Sequence, residues 1–343
     1  MTNSSQKART YITLDYELFL GRETGTVDAC LIQPMQRLEA LADKYPDKGI
    51  KYVLFVDTLY LLKLKEYSNQ SSNLCDDWSK ITNQLKNLTS KGHDAQLHLH
   101  PQWFYSSYDF DIKQWILDFD HYKLSDCPLD EVETMLRDSI DLLEDIVGYR
   151  PSAYRAGGYS YPIRKEYIDL FAKYGIVKDS SVLMRKVATG KYQTYDYSSI
   201  KDYSSYHFSN SNIEKDANGL FIEYPISTKN VNPFLYFPKI IIQKRKNKTD
   251  LKVMGDGRGV GTTFSRSKRI ADKIMQLFKP VCMPASIDST NVLWLSKIYN
   301  AVKVSNSDTM VIIGHPKNCT TFALNIFEDF VGKYDCFYST FRL

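Results

Sequence analysis

The chain has 343 residues, a formal net charge of +4, 43% hydrophobic residues and 24% charged residues. That balance belongs to a globular protein with a large core and excludes a long disordered tract, while the mild charge gives no footing for a nucleic-acid partner. No transmembrane segment is expected, because no run of ~18 uncharged apolar residues occurs; the polar start MTNSSQKART also lacks the apolar core of a secretory signal, so a cytoplasmic protein is expected.

Short apolar runs alternate with amphipathic stretches for most of the length, which is the pattern of βα units. Strands are predicted at 11–15, 51–56, 95–100, 153–156, 176–179, 220–226, 281–287 and 309–314. Helices are predicted at 33–44, 78–91, 128–147, 164–174, 265–277 and 291–303. The third of these opens on Pro128 with Asp130 and Glu131 in its first turn, an acid-rich start that suits a helix N-terminus. Such alternation predicts an α/β fold, a distorted barrel of seven or eight βα units forming one catalytic domain over residues 1–343. Residues 184–219 and 228–262 break the rhythm and are expected as loop insertions over the barrel mouth.

Several features carry no chemistry on this reading. The six cysteines are widely spaced without a CxxC pair and are expected as thiols. Lys244, Arg245, Lys246 and Lys248 are expected as a solvated run, and His93, His121 and His207 as structural or exposed. The glycine run from Gly255 to Gly261 lacks both the Lys-Ser/Thr of a phosphate loop and the GxGxxG spacing, so a flexible lid is expected there.

Chemistry gathers at predicted strand ends. Asp15 and Glu17 are two apart, hence on one side if the strand persists, and two adjacent carboxylates are tolerable where a cation or proton sits between them. His98 and His100 repeat that spacing at the next polar strand end; two imidazoles and a carboxylate make a catalytic zinc set. Arg155, beside Gly157 and Gly158, can orient a carboxylate, and Asp179-Ser180-Ser181 lies one helix later. A last apolar strand runs into Gly314-His315-Pro316-Lys317, where His315 suits a general acid or base.

In this order, TxDxE, GHDxxxHxHP, YRAGGYS, DSS and a final GHP, the motifs resemble the polysaccharide deacetylase superfamily, the NodB-homology domain of carbohydrate esterase family 4, over residues from about 10 to 330. The resemblance implies a divalent metal, most often zinc, and removal of acetyl groups from N-acetylated sugars. By position, Asp15 matches the general base, His98 the first metal histidine, Arg155 the residue orienting the base, His315 the general acid and Asp179 a carboxylate of the fourth motif. Two departures stand out. Tyr16 replaces the second aspartate of the usual pair, leaving Glu17 or Asp15 as the ligand carboxylate, and Gln102 replaces the usual second histidine, leaving His100 as the substitute. Tyr159, Trp103 and Gln102 are the expected substrate contacts. This divergent form is similar to proteins of bacterial surface-polysaccharide and lipopolysaccharide gene clusters, which implies an acetylated sugar or sugar-linked carrier as partner. Two rivals share the barrel: a non-catalytic carbohydrate-binding or assembly protein, and a metal hydrolase acting on an ester or phosphoester.

Overall fold

Continuous apolar runs such as Tyr52–Asp57 and Thr309–Gly314, buried at every position, belong to strands covered on both faces, and they form the centre of a curled sheet. The computed structural model describes residues 8–342 except 163, 210–212, 233, 235–237, 239–240, 242–252 and 261–279, so the helix expected at 265–277 and the basic run at 244–248 lie outside the described residues. The strands in chain order are β1 (Arg9–Tyr16), β2 (Tyr52–Asp57), β3 (Asp94–Leu99), β4 (Ser107–Asp109), β5 (Gln114–Ile116), β6 (Ala153–Ala156), β7 (Lys178–Asp179), β8 (Val187–Thr189), β9 (Thr194–Asp196), β10 (Tyr206–Phe208), β11 (Phe221–Glu223), β12 (Thr228–Val231), β13 (Val281–Pro284), β14 (Thr309–Gly314) and β15 (Phe337–Tyr338).

Nine of them make one sheet in the order β10-β11-β7-β6-β3-β2-β1-β14, with β15 also on β1. Every pairing in it is parallel except β10 with β11. The sheet curls back on itself, because the chain after β11 bridges to the far edge. Ile226 N donates to Val182 O at 2.8 Å, and Ser227 N donates to Val311 O at 3.1 Å. Higher up, Ile287 N and Ile313 N join the 285–287 segment to β14 at 3.0 and 2.9 Å. The result is the expected distorted barrel, closed on one side by short bridges rather than by full strands. The 184–219 segment contributes the β8–β9 hairpin and then β10.

Helices α1 (Gln33–Lys44), α2 (Thr58–Ser68), α3 (Ser72–Ser90), α4 (Leu129–Val147) and α5 (Lys165–Lys173) follow the early strands, and helices Leu295–Val304 and Thr321–Lys333 flank β14. The last begins at Thr320, whose Oγ1 accepts from Ala323 N at 3.0 Å. No helix among the described residues is long and apolar enough to cross a membrane.

The C-terminal tail stoppers the end of the barrel opposite the strand carboxyl ends. Phe341 stacks on Tyr11 at 5.0 Å, meets Tyr224 at 4.8 Å and Phe55 at 5.9 Å, and its amide donates to buried Asp94 Oδ2 at 2.9 Å. Phe341→Ala is expected to destabilise the protein by about 3 kcal/mol, the scale of an aromatic cavity, read as a lower urea midpoint at unchanged slope.

Candidate metal centre

The strand-end residues meet at the carboxyl ends of β1, β3, β6 and β14, where parallel barrels place their sites. Asp15, Glu17, His98, His100 and Arg155 are all almost wholly buried. Glu17 Oε2 lies 3.1 Å from His98 Nε2 and 2.7 Å from His100 Nε2, and the two ring nitrogens are 3.0 Å apart. Among the described residues Glu17, His98 and His100 are the one acid and histidine group whose donor atoms converge closely enough to hold a metal. Asp15 stands outside that trio; its Oδ1 is taken by Arg155 at 2.7 Å and its Oδ2 faces His315 Nε2 at 3.5 Å.

The hydrogen bonding of His98 leaves its other ring nitrogen able to take a proton or a cation. Its Nδ1 lies 2.8 Å from the Arg155 carbonyl, which can only accept, so Nδ1 carries a hydrogen and the neutral ring leaves Nε2 bare. A bare nitrogen aimed at a carboxylate oxygen is repulsive unless a proton or a cation lies between. His100 Nε2 converges on the same spot, and its Nδ1 is buried without a partner. Two nitrogens and one oxygen around a single point fit zinc or a similar divalent ion.

Gly157 makes this approach possible, since a Cβ there would sit 2.7 Å from His100 Nδ1 and from the Leu99 carbonyl. Gly158 and Tyr159 follow with φ of 59° and 62°. A left-handed tyrosine is uncommon and marks a site held in place by its surroundings. Tyr159 is half-buried, and its carbonyl accepts from Tyr197 Oη at 2.6 Å.

Arg155 is nearly saturated. It donates to Asp15, to Thr13 Oγ1 at 2.8 Å, to Ser180 O at 2.8 Å and to Ser180 Oγ at 2.9 Å, with its guanidinium 4.2 Å from the Phe55 ring centre. Burial alone would push the Asp15 carboxyl up, but Arg155, then His98 and His315, outweigh it and hold it below the usual carboxylate range. For Glu17 the same contest ends well below that range, through Lys317 and His100.

Three expectations need correction. Asp179 is not with the others: its carboxylate accepts from Ser181 N and Oγ at 2.8 Å each, and it shares a buried acid pair with Glu223. The DSS segment works through its serines, which grip Arg155 and the Ala156 amide. The carboxylate that holds His315 is Asp288, which accepts from His315 N and pairs with Nδ1, both at 2.7 Å. Trp103 and Gln102 are fully enclosed; Trp103 packs against Tyr60 and Trp115 and offers no open face to a sugar, while both amide atoms of Gln102 lack partners. Nor is the glycine run a free lid where it is described: Gly255 N donates to Lys317 O at 3.0 Å, Arg258 N donates to Glu23 O at 2.8 Å, and Asp256 accepts from Thr26 N at 2.7 Å.

Sequence reading missed Asp57, Asp288 and Lys317. Asp57 ends β2 in register with His98; its carboxylate is buried near the His100 and Tyr60 amides, and burial pushes it up to about 8. Each follows a predicted strand or motif that had been located, so the signal available was one more polar residue at a strand end.

No family model matches the sequence, and a comparison with curated proteins finds no match. Among solved structures, the chain is similar to a protein from Mycobacterium smegmatis assigned as a polysaccharide deacetylase, at 14% identity, with a TM-score of 0.50 and coverage of 98% of this chain and 88% of that one. The chain has the polysaccharide deacetylase fold. It is also similar to the Puue allantoinase at 12% identity, with a TM-score of 0.48 and coverage of 99% and 89%.

Proposed function

We propose that the protein is a metal-dependent hydrolase that removes an acetyl group from an N-acetylated sugar, on a surface-polysaccharide or lipopolysaccharide precursor or its carrier. The observation that carries this reading is the convergence of Glu17 Oε2 with the Nε2 atoms of His98 and His100, next to an ionised base and a protonatable histidine. Glu17, His98 and His100 would hold a divalent ion, most simply zinc, which when bound polarises an acyl carbonyl and acidifies water.

The remaining work falls to side chains. Asp15, kept ionised by Arg155, turns Oδ2 toward His315 and can take a proton there from the attacking water. His315, braced by Asp288, presents Nε2 to the same space and can hand a proton to the leaving sugar nitrogen. Arg155 holds Oδ1 of the Asp15 carboxylate and so fixes the orientation of the base. A cavity of about 600 Å³ bounded by Leu18, Arg22, Tyr60, Asp77 and Trp115 opens beside the loop that follows Glu17, but none of Asp15, Glu17, His98, His100, Arg155 and His315 lines it.

The purified protein is expected to carry about one divalent ion and to release acetate from an acetylated amino sugar. Chelation should remove both properties, and adding back zinc should restore them. Elemental analysis beside an acetate assay checks this. Bound metal with no acetate from any acetylated sugar would favour the carbohydrate-binding alternative, and turnover of esters alone would favour the ester hydrolase.

A further inference from the structure

Asp15 and Glu17 are built alike, and the likeness gives Lys317 a role. Each carboxylate has one oxygen held by a buried cation: Asp15 Oδ1 by Arg155 at 2.7 Å and Glu17 Oε1 by Lys317 Nζ at 2.8 Å. Each has the other oxygen left for chemistry, Asp15 Oδ2 toward His315 and Glu17 Oε2 toward His98 and His100.

Lys317 is only 5% exposed, and a buried ammonium is tolerated only with fixed partners. Those partners are Glu17 Oε1 and the Leu18 carbonyl, the latter at 2.6 Å, with the Phe19 ring centre 5.0 Å away. Its main chain is fixed as well, since its carbonyl accepts from Gly255 N at 3.0 Å. A Cβ on Gly255 would stand 3.1 Å from Lys317 Cβ and 2.4 Å from Phe19, so glycine is what lets that segment clasp the lysine.

We propose that Lys317 is a positioning residue of the metal centre: by occupying Glu17 Oε1 it confines the carboxylate to ligation through Oε2 alone. The proposal rests on Glu17, His98 and His100 being the ligands. A carboxylate beside a divalent ion can bind through one oxygen or both, and a tie on one oxygen decides between them. Ligation through one oxygen keeps more of the coordination sphere open to water and substrate, as a catalytic centre requires. Lys317 also offsets the charge of Glu17, so less of the ion's positive charge is quenched by its own ligand.

The test is cobalt loading of the full-length wild type and Lys317→Met, followed by electronic absorption and by competition with a chelator. In Lys317→Met, Glu17 should turn to bind through both oxygens, giving weaker visible bands per cobalt as coordination number rises. Affinity should fall by about 10–100-fold, the scale for loss of a residue that orients a ligand. An unchanged spectrum and affinity overturns the proposal. So does tighter binding, which would mean that the lysine merely competes with the ion. Should Lys317→Met fail to fold, Lys317→Leu, which likewise leaves Glu17 Oε1 untied, carries the same expectation of weaker binding. A wild type that takes up no cobalt overturns the ligand assignment and the role of Lys317 with it; a loaded wild type with an unmoved variant overturns the role of Lys317 alone.

Discussion

His98→Ala is expected to lose the bound ion and, with it, all measurable hydrolysis. The imidazole supplies Nε2 to the converging trio, and its Nδ1 is tied to the Arg155 carbonyl at 2.8 Å, which fixes the ring's orientation. With the ring gone, Glu17 and His100 are left as a two-donor set, too few to hold zinc as a catalytic centre does. The ring is also buried, so its removal leaves a cavity, and a modest fall in unfolding midpoint is expected beside the metal loss. Elemental analysis of a variant that still unfolds cooperatively separates the two effects. Metal content equal to that of the wild type would remove His98 from the ligand set.

What the sequence disclosed of this site follows from strand burial. Strands such as β2 and β14 are covered on both faces, so each reads as an unbroken apolar run and a charged residue at its end stands out. That is why Asp15, Glu17, His98, His100, Arg155 and His315 were legible, and why Thr309–Gly314 matched its predicted span. Asp179 was misread because β7 is two residues long, too short for alternation to say which face a side chain takes. Asp288 lay one residue beyond the strand expected at 281–287, but its partnership with His315 spans 27 residues and exists only in three dimensions. Helix α2 (Thr58–Ser68) follows β2 without a break and buries residues around most of its first two turns, so it lacks the apolar stripe that marks a helix. The Phe341 stopper has no local signal, since its pocket is made of Tyr11, Phe55, Tyr224 and Asp94 from distant parts of the chain.

His315→Ala is expected to keep the ion and to slow hydrolysis by roughly 10²–10⁴, the usual cost of removing a general acid. His315 Nε2 is 3.8 Å from Glu17 Oε1, the oxygen that Lys317 holds, and it does not belong to the converging trio. Burial alone would lower its pKa, but Asp288, then Asp15 and Glu17, outweigh that and raise it from the usual 6.5 to about 9. In the metal-free protein the ring is therefore an imidazolium at neutral pH, with Nδ1–H on Asp288. With His315 as the proposed general acid, Asp288→Asn should move the basic limb of kcat/KM to lower pH, because it deletes the largest contribution that raises the pKa. The same shift has a stability consequence in the metal-free protein. A folded pKa above the unfolded one adds stability that is fully present below pH 6.5 and fades as pH rises through about 9, so His315→Ala should flatten the loss of stability across that window. Urea midpoints measured from pH 6 to 10 on metal-free wild type and variant read this directly. If His315→Ala instead gives up its metal, the histidine is a ligand, and the proton for the leaving nitrogen must come from another group.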